Sequence, residues 1–304
     1  MSASVTTGWA CPVCGNGRAE PRFPVDTTAT EAGVDAEAFR PSSERFGRTA
    51  GTLVRCLSCG HGSLDRMPDA DAVSGAYAEA ADPVSVREEP GQVETARRAL
   101  ARIEKVVPPG LVCDLGCWTG SFLVAARERG WDPTGVEPSR WASERARARG
   151  LHVRTTELDD PAVAVGSCRL VVMCDVLEHL VEPGHALDVA RELLEERGIL
   201  YLTLPDAGSA LARAMGRRWW SVLPMHVQYF TRGSLTRLLQ RHGFRVVSIT
   251  THAKVFTTRY YGERLGGYSP LVERLTLAAL ERAGWADRPV GPDFHDRMAV
   301  LATR

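Results

Sequence analysis

Two groups of residues in this chain have types and spacing suited to chemistry. Near the start, Cys11-Pro12-Val13-Cys14-Gly15 and Cys56-Leu57-Ser58-Cys59-Gly60 each set two thiols on a tight turn closed by glycine. Two intervening residues let both sulfurs of a pair face one point, and the glycine permits the positive φ that follows. Two such turns make a tetrahedral site of soft thiolates, which suits zinc, an ion with no redox demand. An iron–sulfur cluster would accept the same ligands but usually shows other spacings. Cys11, Cys14, Cys56 and Cys59 are therefore expected to hold zinc. His61 directly follows Gly60 and is read as an exposed neighbour, not a ligand. Cys113, Cys117, Cys168 and Cys174 lack metal-like spacing and are read as small packing residues.

The second group begins at Asp114. The apolar run over 111–113 ends in this acid, a turn with Gly116 and Gly120 follows, and helical periodicity takes over from Ser121 to Arg129, so strand, loop and helix succeed one another. The glycines let backbone approach a ligand closely, and the helix presents free N–H groups. A second short strand ends in Glu137, twenty-three residues after Asp114, the separation at which a carboxylate reaches ribose hydroxyls. A dinucleotide pyrophosphate would be poorly received here. Bulky Cys117 and Trp118 separate the glycines, and Asp114 adds negative charge. A zwitterionic amino acid carrying a sulfonium would gain from that acid, because its ammonium group needs acceptors.

At these residues the chain resembles the class I S-adenosylmethionine-dependent methyltransferases, whose glycine loop carries an acid two residues before its first glycine. The segment Asp175-Val176-Leu177-Glu178-His179-Leu180 resembles the signature of a large subgroup acting on small molecules, sugars and quinones, and residues 224–231 and 235–244 match the segment that follows in the same subgroup. The resemblance implies an α/β, doubly wound, Rossmann-like sheet of seven strands. Its fourth and fifth strands would fall at 169–174 and 199–205, and residues 244–251 and 297–303 would form the closing antiparallel pair. It also implies S-adenosylmethionine as cofactor. Asp114, Gly116 and Gly120 would hold the methionine end, Glu137 the ribose and Leu158 the adenine region, with Trp118 and Asp175 nearby.

Methyl transfer from a sulfonium is a direct displacement, so the protein aligns nucleophile and methyl and removes a proton where the acceptor carries one. His179 and His226 are the candidate bases, both on the rim formed by the carboxyl ends of the strands, and Tyr229 is a candidate to orient His226. Sugar C-methyltransferases that resemble this chain begin with a zinc module and carry a His-Glu-His-x-x-Tyr-Phe segment. Here Met225-His226-Val227-Gln228-Tyr229-Phe230 keeps the second histidine and the aromatic pair but has Met225 in the acid's place, and the further carboxy-terminal domain of those enzymes is not expected. Carbon and oxygen acceptors therefore both remain. Trp219 and Trp220 are candidates to border the acceptor, and Arg217 and Arg218 to meet a phosphate of a nucleotide-linked sugar.

These groups need elements to position them. The 304 residues, 44% hydrophobic, allow one full-sized core and a small module. The predicted division is a zinc ribbon at 1–66, a helical connector or lid at 67–110 and a catalytic domain at 111–304. In the ribbon, Pro21, Pro24 and Pro41 mark loops, with a short strand at 51–55. In the connector, Ala96, Leu100, Ile103 and Val107 share one helical face, and Tyr77 is a candidate lid residue. A late helix at 271–283 would make contacts through Leu271, Leu275, Ala278 and Leu280, either capping the acceptor or forming a dimer surface; monomer and homodimer both remain.

Composition limits the partners. Acids and bases balance at 37 each, and the first 66 residues hold seven Arg against seven Asp or Glu, which counts against nucleic acid as a partner. Lysine occurs only at 105 and 254, a bias read as having no functional meaning. No apolar run spans a membrane, and residues 1–10 lack the marks of a signal peptide, so a cytoplasmic enzyme acting on a small-molecule acceptor in biosynthesis is expected. Two rival readings use the same residues: an RNA methyltransferase whose ribbon grips nucleic acid, and a cofactor-binding scaffold without turnover.

Overall fold

Strands buried on both faces read as near-continuous apolar runs, and two of these, Leu111–Leu115 with its single acid Asp114 and Cys168–Cys174 with its single Arg169, lie side by side in the larger sheet. The computed structural model describes residues 8–23, 36–37, 39–40, 42–158, 160 and 163–304. Pro24, Pro41 and most of the segment read for a signal peptide lie outside the described residues.

In chain order, β1 (Ala19–Phe23), β2 (Leu53–Cys56) and β3 (Gly62–Leu64) precede helices α1 (Ala70–Ala78) and α2 (Glu89–Ile103). Next come β4 (Leu111–Leu115), α3 (Ser121–Glu128), β5 (Asp132–Val136), α4 (Arg140–Ala148), β6 (His152–Arg154), β7 (Cys168–Cys174), α5 (Pro183–Leu193) and β8 (Leu194–Pro205). The remainder holds α6 (Ala210–Met215), β9 (Gln228–Tyr229), α7 (Arg232–Arg241), β10 (Arg245–Thr251), β11 (Phe256–Thr257), α8 (Thr258–Glu263), α9 (Pro270–Arg282), β12 (Pro289–Val290) and β13 (Arg297–Thr303).

The large sheet is Rossmann-like, with seven strands in the order β10-β13-β8-β7-β4-β5-β6. Strands β8 through β6 pair in parallel, whereas β13 runs antiparallel to both β8 and β10. The strand order reverses at β4, which has β5 on one side and β7 on the other, so a crevice opens at its carboxyl end. The connector is broken by a short 3-10 turn at Pro83–Glu88, which Asp82 caps by accepting from Val84 and Ser85 N–H. Beyond the turn, Ala96, Leu100 and Ile103 of α2 bury together with Phe122, Ala125 and Ala126 of α3.

The small sheet, β1-β2-β3-β9, is antiparallel throughout and draws its last strand from the segment just after His226. Gly62 pairs with Tyr229, and a Cβ on Gly62 would come 2.9 Å from that of Tyr229, so only glycine lets the strands meet this closely. His61 is not the exposed neighbour expected. It has no accessible surface, its Nε2 lies 2.9 Å from Gln228 Oε1, and its ring packs 4.7 Å from Phe230. The reason is β9, which covers the edge on which His61 would otherwise meet water.

The face of α9 also differs from expectation. Leu271 and Leu275 are exposed, whereas Leu280, as expected, makes contact, closing with Thr276 and Leu277 on Gly262 of α8. Among the described residues no helix is long and apolar enough to cross a membrane.

Candidate functional site

The four cysteines of the N-terminal turns converge. Cys11 Sγ lies 3.6 Å from Cys59 Sγ, Cys14 Sγ lies 3.6 Å from Cys56 Sγ, and all four sulfurs fall within 4.8 Å of one another. Zinc–sulfur bonds of about 2.3 Å in a tetrahedron place sulfurs about 3.8 Å apart, so the thiols already stand at the separation that such an ion needs. Gly15 and Gly60 carry the left-handed φ that each turn requires, +72° and +73°.

A cavity of about 1220 Å³ opens at the carboxyl ends of β4, β5 and β7. That exceeds what one drug-sized ligand needs and leaves room for two bound side by side. Asp114, Gly116, Trp118, Glu137, Leu158 and Asp175 line it. Gly120 does not line it. Its φ is +80°, and a Cβ there would strike Leu151 Cδ1 at 2.3 Å, so this glycine turns the chain into α3 and lets α4 and β6 pack behind the loop.

Asp114 is buried, and its Oδ1 has no hydrogen-bond partner. Burial, reinforced by Glu137, pushes its carboxyl up to about 8. An unpaired carboxylate beside a cavity is costly and invites a cationic donor. An ammonium group such as the amino end of S-adenosylmethionine fits that need. Glu137 is oriented by two backbone donors, Trp118 N–H at 2.7 Å and Ser139 N–H at 2.9 Å, and burial raises it to about 7. Each of its oxygens keeps a lone pair for a hydroxyl. Trp118 sits at φ +48°, uncommon for a bulky side chain and worth on the order of 1–3 kcal/mol of strain. Its bond to Glu137 and its indole N–H to Ser85 Oγ at 3.3 Å hold it there, so loop and second acid set each other.

The same cavity is lined by Tyr77, Glu178, His179, Met225 and His226, with Trp220, Tyr261 and Phe294 as further aromatic wall. His179 Nδ1 lies 3.1 Å from Met225 O and His226 Nδ1 lies 2.7 Å from Ser221 O. A carbonyl only accepts, so both rings carry their proton on Nδ1 and keep the Nε2 lone pair. Burial holds His179 down to about 4 and His226 well below its ordinary value, the latter lowered further by His179 beside it. Both imidazoles are therefore neutral near pH 7. Their centroids lie 4.7 Å apart, edge to face.

Tyr229 is not brought to the cavity wall. It is buried against Leu53, Val222 and Trp219, and its ring centroid stands 6.4 Å from that of His226, whose orientation comes from Ser221 O instead. Arg217 and Arg218 also lie off the lining, and Trp219 donates from Nε1 to Asp296 Oδ2 at 2.8 Å. The cations that do reach the cavity are Lys254, Arg264 and Arg297, all from the region after β10, and Asp175 pairs with both Lys254 and Arg297. No spacing signalled them, although Lys254 is one of only two lysines in the chain.

A parallel sheet with one antiparallel strand beside its end, a glycine turn at the reversal of strand order and a second acid past the next strand define a Rossmann-like class I S-adenosylmethionine-dependent methyltransferase. The chain belongs to the methyltransferase domain family, whose model matches residues 88–249. Among curated proteins it is similar to the C-methyltransferase NovU of Streptomyces niveus, 29% identical over 146 residues, a stretch covering 46% of this chain and 34% of that protein. The matched stretch thus spans about a third of that relative's length. Among solved structures, a methyltransferase of Archaeoglobus fulgidus aligns at a TM-score of 0.49 with 18% identity over 70% of this chain and 94% of that one. The geranyl diphosphate C-methyltransferase of Streptomyces coelicolor A3(2) aligns at 0.44 with 15% identity over 69% and 77%.

Proposed function

We propose that this protein transfers a methyl group from S-adenosylmethionine to a small acceptor, with nucleotide-linked sugars and natural-product intermediates as the substrate class. One observation carries the reading: the orphaned carboxylate of Asp114 and the neutral pair His179 and His226 open into the same cavity, whose size admits cofactor and acceptor together. On this reading Asp114 takes the ammonium of the cofactor, Glu137 its ribose, and Leu158 and Trp118 border the adenine. Gly116 shapes the loop, while Gly120 acts through packing. His226, with His179 beside it, removes the acceptor's proton, since a neutral imidazole with a free lone pair is the state a general base needs. The similarity to a C-methyltransferase supports a small acceptor.

The division into a ribbon at 1–66, a connector at 67–110 and a catalytic domain at 111–304 belongs to the same proposal. Cys11, Cys14, Cys56 and Cys59 would bind zinc, and the ion's role would be structural: it fixes the turns next to β2 and β3, and β3 carries the edge on which β9 lies. Tyr77, its ring tilted against that of Phe39 with centroids 4.7 Å apart, makes the connector a wall of the cavity.

Calorimetry with S-adenosylmethionine on the full chain tests the cofactor assignment, and mass spectrometry of turnover across a panel of sugar nucleotides and phenolic acceptors tests the substrate class. Absence of binding by folded protein would remove the first. Transfer to RNA alone would replace the second.

A further inference from the structure

Besides the four cysteines, one other group among the described residues converges as a metal ion requires. Glu178, His179 and His226 each bring a donor atom within 4.8 Å of the other two, and all three side chains are buried. Tetrahedral ligands on one ion with bonds of about 2.0–2.2 Å stand roughly 3.3–3.6 Å apart, so the three donors would draw together as the ion binds.

Two independent features point to an ion at this place. Both imidazoles donate from Nδ1 to backbone carbonyls, Met225 O and Ser221 O. That arrangement is the usual outer support of a ligating histidine, fixing its tautomer and aiming Nε2. Glu178 Oε2 is fully buried, without any hydrogen-bond partner, on a residue that lines the cavity. The ammonium of Lys254 does not satisfy it, being paired with Asp175. The two segments supplying these groups are tied by Val227 N–H donating to Glu178 O at 2.9 Å, so the three donors are held in place before any ligand arrives.

We propose that Glu178, His179 and His226 form a second metal site, binding a divalent first-row transition ion through one carboxylate oxygen and two imidazole nitrogens, with its open positions facing the acceptor. Two nitrogens and one oxygen suit manganese, iron(II), cobalt or zinc better than magnesium or calcium, which prefer all-oxygen shells. Three protein ligands leave positions free, and an acceptor hydroxyl or enol oxygen there would lose its proton more readily. The role toward the acceptor rests on the methyl-transfer reading; ion binding does not. In the loaded state the Nε2 of His226 would be a ligand and would take no proton; the ion would lower the acceptor's pKa, and the proton would leave to solvent water in the cavity.

The test is a titration of the full chain with Mn(II), followed by the loss of the free-ion resonance and by calorimetry, with elemental analysis of the cysteine-bound metal in the same sample. The expected result is one equivalent of Mn(II) bound in addition to the ion at the cysteines, with affinity at least 10-fold weaker in His179→Ala and in the near-isosteric Glu178→Gln. Each variant is to be judged on samples that retain the cysteine-bound ion and the unfolding midpoint. Wild-type protein that is folded and takes up no Mn(II), Co(II) or Zn(II) beyond the cysteine site overturns the proposal, as does unchanged uptake in Glu178→Gln. S-adenosylmethionine calorimetry on the same preparation separates the two readings: an extra ion bound with no cofactor bound keeps this site and removes the methyl-transfer assignment.

Discussion

His61 Nε2 and Gln228 Oε1 stand 2.9 Å apart in the interior, joining a residue two positions past Cys59 to one two positions past His226. This bond and the β3–β9 pairing make the N-terminal sheet the floor on which the His226 loop rests. His61→Ala leaves Gln228 without that partner and opens a cavity at Phe230. A loss of about 1–3 kcal/mol is expected from the unmet polar group alone. Urea denaturation checks it, and an unchanged midpoint would show that the bond contributes nothing.

Removal of the ion proposed at the four cysteines should act at the same seam. Cys56→Ser is expected to abolish metal retention at the ribbon and to lower turnover by tenfold or more, while S-adenosylmethionine affinity, proposed to rest on Asp114 and Glu137, changes less. Elemental analysis paired with cofactor calorimetry and initial rates decides this. Equal losses of binding and turnover would mean that the ribbon supports the whole fold rather than the loop.

The buried carboxyl of Asp114 predicts a proton balance. Its folded value of about 8 lies above the unfolded value near 3.8, so the folded state holds the proton more tightly and the group's contribution to stability falls as pH rises from about 4 to about 8. The slope is at most about 1.4 kcal/mol per pH unit. Asp114→Asn removes this dependence. Difference curves between wild type and variant should therefore favour the variant increasingly up to about pH 8 and then level. An ammonium arriving at the carboxylate reverses the shift, so cofactor binding at pH 7 should release a proton. Calorimetry in buffers of different ionisation enthalpy would detect that release, and Asp114→Asn should lack it.

Gly120→Ala tests a residue that supports the loop from behind. Its φ of +80° and the 2.3 Å approach to Leu151 Cδ1 predict about 1–3 kcal/mol of destabilisation, read from thermal unfolding. Cofactor affinity measured well below the midpoint should change little. A variant as stable as wild type but unable to bind would instead place Gly120 at the ligand.

His226→Ala is expected to lower turnover by about 10²–10⁴ with little change in S-adenosylmethionine affinity, because the cofactor is proposed to be held by Asp114 and Glu137. Steady-state rates and cofactor calorimetry on one preparation give the comparison. Undiminished turnover would take His226 out of the reaction.

Local pattern was enough for the central sheet. The stretches 111–113, 170–174 and 199–202 are apolar runs within β4, β7 and β8, and such runs have few ways to bury both faces except in inner strands. The acid before Gly116 and the acid past β5 were legible because strand, turn and helix put them on one rim whatever the rest of the chain does. The paired cysteines were legible for the same reason, since each turn is local.

What the tertiary structure decided is everything that depends on contacts between distant segments. Tyr229 and His226 are three residues apart, yet β9 pairing with β3 holds Tyr229 away from the cavity that His226 enters. His61 becomes buried because the same strand covers it. Lys254, Arg264 and Arg297 carry no spacing of their own and reach the cavity only after the chain has folded back beyond β10. The convergence of Glu178 and His179 on His226 likewise arises from the backbone bond between Val227 and Glu178, a contact across 49 positions that no periodicity encodes. Burial then sets the protonation of these groups. The amino-acid order supplied the ionisable side chains, and desolvation, a property of the packed molecule, determined which of them are neutral.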